Sequence, residues 1–269
     1  MTEQTALQGV LSRDRWIVGA CLAALCGLAW AWLLRAADGA GGQAAMGAMA
    51  MGAPASALRG SGLATDLPGA FVMWFLMMVA MMLPSAAPMI LLYARFARGV
   101  KAQGGVLAPT FIFAGAYLGL WALFSLAAAL AQAALIKVGA VQAASLSLGN
   151  GHLAGGLLIA AGLYQLTPLK RACLDQCRSP LSFVTRLWRP GWGGALRIGL
   201  AHGLHCVGCC WLLMALLFVG GAMSLVWIAV LALIVLVEKV APIGRLGAQA
   251  VGALAIVAGL AMAVGLPAV

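Results

Sequence analysis

Seven apolar stretches divide the chain, at residues 16–34, 68–93, 108–136, 152–169, 198–219, 222–238 and 247–267. Each is close to the ~20 residues that a helix needs to cross a hydrocarbon core about 30 Å thick. The pattern predicts an all-α fold, a polytopic membrane bundle of seven transmembrane helices. Only Gly220-Gly221-Ala222 separates the fifth stretch from the sixth, so those two are expected to form an antiparallel hairpin. The positive residues set the orientation. Arg13 and Arg15; Arg95, Arg98 and Lys101; Lys170, Arg171, Arg178, Arg186, Arg189 and Arg197; and Lys239 and Arg245 all fall in one alternating set of connections. Only Arg35, Arg59 and Lys137 fall in the other. Basic loops stay on the cytoplasmic side, which predicts the N-terminus in and the C-terminus out.

Composition agrees with this picture. The chain is 64% hydrophobic and 8% charged, against about 25% charged in a soluble domain. Its net charge of +10 does not point to nucleic acid, because the basic residues lie in short loops between spans and not in a separate domain. The seven cysteines sit in or beside apolar segments and do not read as a secreted disulfide framework. Residues 16–34 exceed a signal-peptide core and are expected to remain as an anchor.

The chemistry concentrates in the fifth stretch. His202, His205, Cys206, Cys209 and Cys210 occupy nine consecutive positions. At about 100° per residue, the first four lie within an arc of ~100°, with Cys210 further round. Thiolate and imidazole select Cu(I) and Zn(II), and by softness copper(I) is favoured with zinc second. Cysteine also serves as a small apolar residue, but three cysteines and two histidines together argue for metal or redox chemistry. Cys209 and Cys210 are adjacent, so both cannot point at one centre unless the helix distorts. Gly203 and Gly208 either supply that distortion or admit a neighbouring helix.

A methionine-rich face occupies the second stretch, with Met73, Met77 and Met81 in one row and Met78 and Met82 in another, ahead of Pro84 and Pro88. Such a row reads as core packing or as a thioether ligand set. Counting from Arg95 and from Arg197 puts Met81 and Cys209 at matching depth, roughly 18–21 Å from the inner surface. Glu238 ends the sixth stretch. In an antiparallel hairpin it is level with His202, where it either holds a histidine, carries a proton or ligates an ion; the alternative is an ion pair with Lys170, Arg171 or Lys239. Gln165 reads as a polar tie between helices. Cys173 and Cys177 lie in the inner connection, on an expected short interfacial helix, either as a thiolate port or facing lipid. In the outer loop, Met46, Met49 and Met51 form either a route for a soft cation or a simple Ala/Gly/Met linker.

The runs Met-Trp-x-x-Met-Met-x-Ala-Met-Met-x-Pro-Ser at 73–85, Tyr-Gln-x-x-Pro-Leu-Lys-x-x-Cys-Leu at 164–174 and His-Gly-x-x-Cys-x-Gly-Cys-Cys-Trp-x-Leu-Met at 202–214, together with Glu238-Lys239, resemble an uncharacterised bacterial family. Its members are described as predicted metal-binding integral membrane proteins. The resemblance covers about residues 68–245. It implies that Met77, Met78, Met81, Met82, Pro84, Gln165, Cys173, Cys177, His202, Cys206, Cys209, Cys210 and Glu238 belong to the family pattern, while His205 and the Met-rich loop stand outside it.

Three parts are expected. Residues 1–67 form an anchor helix and a flexible Met/Gly-rich outer loop, 68–245 a metal-binding membrane core, and 246–269 a last transmembrane helix. The leading function is metal handling in the bacterial inner membrane: a copper ion held at an intramembrane Cys/His/Met cluster for transport or for delivery to a metal chaperone or metalloenzyme partner. A membrane thiol or metal-dependent oxidoreductase and a non-catalytic assembly subunit remain as alternatives, so enzymatic activity is left open.

Overall fold

The computed structural model describes residues 16–36, 66–99, 107–142, 145–241 and 244–264. Met46, Met49 and Met51 lie outside the described residues. The regular structure is helical, with one isolated bridge between Val141 and Leu148. In chain order the helices are α1 (Trp16–Ala36), α2 (Leu67–Gly99), α3 (Leu107–Lys137), α4 (Gly151–Leu166), α5 (Pro168–Arg178), α6 (Pro180–Leu187), α7 (Gly191–Ala215), α8 (Leu217–Gly220), α9 (Leu225–Val240) and α10 (Gly244–Ala263).

The helix count and the span count both differ from the seven expected. Five segments among the described residues are long and apolar enough to cross a membrane: α1, Leu67–Ala97 of α2, α3, Gly191–Gly220 and α10. The fourth and sixth apolar stretches become helices of 16 residues each. At about 1.5 Å per residue each rises ~24 Å, less than the ~30 Å of a typical hydrocarbon core. Thr167-Pro168 ends α4. The residue before a proline is driven out of helical geometry, and Thr167 then caps α5 by accepting from the Lys170 backbone N–H at 3.2 Å. Ser179-Pro180 interrupts the chain in the same way, without a side-chain cap, so the connection between α4 and α7 holds two short helices where one was expected.

The proline break in α2 is closed from outside the helix. Pro84 has no N–H to offer the carbonyl of Ala80, four residues back. Trp30 of α1 donates its indole Nε1–H to that carbonyl at 3.2 Å, with the Cys26 thiol at 3.7 Å. The core itself is built around α2, whose Met73, Trp74, Met77, Met78, Met81 and Met82 are all buried. α3 packs against both α2 and α7. Gly199 permits the second contact, because a Cβ there would stand 2.5 Å from the Phe113 carbonyl oxygen.

The expected hairpin is present as a connection but not as a packed pair. Gly221, at φ 87°, turns the chain after α8, and Ser224 caps α9 by accepting from the Trp227 N–H at 3.4 Å. α9 then lies chiefly along α2, with its last turn reaching α5, α7 and α10. α4 and α10 pack backbone against backbone at Gly155, Gly162, Gly252 and Gly259.

Candidate metal centre

The two prolines and the methionine rows fix where α2 presents polar atoms to its neighbours. The Met82 carbonyl accepts from the Ser85 hydroxyl at 2.9 Å and from the buried Tyr117 hydroxyl of α3 at 3.2 Å. The same Tyr117 oxygen lies 3.1 Å from the Cys206 sulfur. The Met82 sulfur meets the Cys210 thiol at 3.8 Å. Met82, Cys206 and Cys210 therefore share one buried pocket between α2, α3 and α7. Met77, Met78 and Met81 lie buried in the core around it.

Cys206 and Cys210 are one helical turn apart on the same side of α7. The Cys210 thiol also contacts the Cys206 carbonyl at 2.8 Å, and the Cys209 thiol contacts it at 3.2 Å. The adjacent pair resolves the geometric difficulty posed by its spacing by serving two neighbours. Cys210 turns to Met82, while Cys209 turns to Cys177 on α5. Gly208 makes room for that approach. A Cβ there would stand 3.0 Å from the Cys173 sulfur. Thus Cys173 and Cys177 are half-buried and face α7, not lipid. The Cys177 thiol is pushed well above its usual range, first by its hydrogen bond to Cys209 and then by burial. Burial, with Cys209 nearby, also raises Cys173.

Sequence reasoning missed two side chains here. Lys239 is 8% exposed. Its ammonium donates to the Cys206 sulfur at 2.9 Å and to the Ser85 hydroxyl at 3.3 Å, with the Met82 sulfur 4.0 Å away. Tyr117 supplies the hydroxyl on the opposite helix. Both left a signal in the sequence: an ammonium near the end of a 16-residue apolar helix, and a phenol in the middle of an apolar one.

Glu238 takes a different partner from the histidine expected of it. Gln165 donates to one carboxylate oxygen at 2.7 Å, and the Lys170 ammonium donates to the other at 2.6 Å. Lys170 also bonds Gln165 directly. The anticipated ion-pair alternative is the arrangement found, because α9 runs along α2 and its end turns toward α4 and α5. Gln165 ties helices together as expected.

His202 is 3% exposed and boxed by the rings of Phe113, Tyr117 and Phe183, with centroids 6.1, 5.4 and 5.8 Å away. Among the described residues its Nδ1 has no hydrogen-bond partner. His205 points elsewhere, with Nδ1 2.7 Å from the Ala201 carbonyl and its ring edge-on to Phe183. Among the described residues, no three His, Cys, Asp or Glu side chains converge on one point suited to a metal ion. What the pocket does present is two thiols and a thioether, donors suited to a soft ion that accepts few ligands.

No curated protein and no solved structure matches the chain. A protein family described as PpoB2, copper chaperone, matches it over residues 71–262, which takes in α2 through nearly all of α10. The chain belongs to this copper chaperone family.

Proposed function

We propose that the protein is an inner-membrane copper handler that holds Cu(I) between Cys206, Cys210 and Met82 and passes it through Cys209 to Cys177 and Cys173. The observation that carries this reading is the meeting of the Met82 and Cys210 sulfurs at 3.8 Å, one turn from Cys206, in a member of a copper chaperone family. Thiolate and thioether donors suit Cu(I) better than harder ions. Cys209 is turned about 100° from Cys210, so the adjacent cysteines form a step between the buried pocket and α5. A linear run of sulfurs suits transfer by ligand exchange, in which each new copper–sulfur bond forms as the previous one breaks. The basic residues around α5 and α6 favour the cytoplasmic side for that end under the positive-inside rule, with the N-terminus in and the C-terminus out; this orientation requires α4 and α9 to cross beside the five longer segments. The orphaned Nδ1 of His202, one turn from Cys206, is available as a further donor if its ring rotates.

The test is metal content. Wild-type protein purified from copper-supplemented cells carries copper, and Cys206→Ser/Cys210→Ser protein of equal helicity carries none. Equal copper in both would remove the proposal.

A further inference from the structure

Resting on that copper reading, we infer that Lys239 makes the pocket selective for monovalent over divalent soft cations. Its ammonium is held against the Cys206 sulfur at 2.9 Å and near the Met82 sulfur at 4.0 Å. The neighbouring carboxylate is already taken. Glu238 is engaged by Lys170 at 2.6 Å, a neutral couple. The Arg178 guanidinium donates to the Glu238 backbone carbonyl at 2.5 Å. With the Glu238 carboxylate taken, Lys239 faces the sulfurs of Cys206 and Met82.

A metal bound by Cys206 and Cys210 makes two metal–sulfur bonds, and whatever thiol protons those sulfurs carried leave to solvent. Two thiolates and one ammonium together bear a charge of −1. A monovalent ion brings the buried assembly to neutrality. A divalent ion leaves it with an uncompensated positive charge, which is strongly disfavoured in a low-dielectric interior. Without the ammonium the balance reverses: the divalent complex is neutral and the monovalent one is an isolated anion. Softness already favours Cu(I) over Zn(II) and separates it less from Cd(II); the charge at this position adds a discrimination by valence.

The experiment uses the full chain in detergent under reducing, anaerobic conditions. Affinities for Cu(I) and Zn(II) are measured by chelator competition for wild type, Lys239→Met and Lys239→Arg. In Lys239→Met the Zn(II)-to-Cu(I) affinity ratio rises about tenfold or more, the scale expected for a unit charge within about 4 Å. Lys239→Arg keeps the wild-type ratio. A purely structural lysine would weaken both metals together, and an unchanged ratio overturns the inference. A second measurement needs no variant. Ag(I) displaces Cu(I) from wild-type protein, whereas Cd(II) at the same concentration does not; equal displacement also overturns it. If wild-type protein binds no Cu(I), the copper reading itself has failed. If copper binds and is lost in Cys206→Ser/Cys210→Ser while the ratio stays fixed, only the role of Lys239 has.

Discussion

The α4–α10 pair and the α2–α7–α9 pocket are both buried helix contacts, built on opposite principles. Between α4 and α10 the backbones touch. A Cβ on Gly155 would stand 2.6 Å from the Gly259 carbonyl oxygen, and one on Gly162 would stand 2.5 Å from that of Gly252. That contact uses shape and excludes side chains, the usual solution where lipid removes any hydrophobic drive between helices. Between α2, α7 and α9 the contact is made by side chains with lone pairs and protons: Met82, Ser85, Cys206, Cys210 and Lys239. Scaffold positions should therefore fail by steric overlap, and pocket positions by lost chemistry with the fold intact.

The largest expected effect is at the scaffold. Gly162→Leu overlaps both the Gly252 carbonyl and Ile256, and should abolish monodisperse protein in size-exclusion chromatography. Folded Gly162→Leu protein would break the contrast. Next is the Lys170–Glu238 pair. Glu238→Gln leaves a buried ammonium without its counter-charge, a loss of about 3–5 kcal/mol. Its thermal midpoint in detergent should drop sharply, and Lys170→Met/Glu238→Gln should recover part of the drop. Met82→Leu keeps volume and removes the thioether. It should lower copper stoichiometry or affinity severalfold at wild-type thermal stability; a loss of stability equal to the loss of copper would move Met82 into the scaffold class. The smallest effect is expected for Trp30→Phe, which leaves the Ala80 carbonyl without its indole donor and should cost about 1 kcal/mol in the same thermal assay.

The boundaries of α2 and α3 were legible because long apolar runs with charged ends have few alternative readings. Depth counting put Met81 level with Cys209, since helical rise is fixed once the charged ends are placed; the sulfurs that meet are one position further on in each helix, Met82 and Cys210. The site's charges were not legible. Glu238 was matched to His202 by assuming that helices joined by a tight turn pack together, and α9 lies instead along α2. Lys239 entered only as a neighbour of Glu238, although one helical step of about 100° sends adjacent side chains to different partners. The division of the connection between α4 and α7 was readable in retrospect, because Ser179-Pro180 copies Thr167-Pro168 twelve residues earlier.

The indole of Trp30 resting on the Ala80 carbonyl bears on the order of assembly. Chains emerge from the ribosome N-terminus first. By the time the gap opened by Pro84 emerges, α1 has already left the ribosome and carries the group that fills it. Deleting the first helix would then do more than untether the protein: the second would have to settle in lipid with a bare oxygen at its middle.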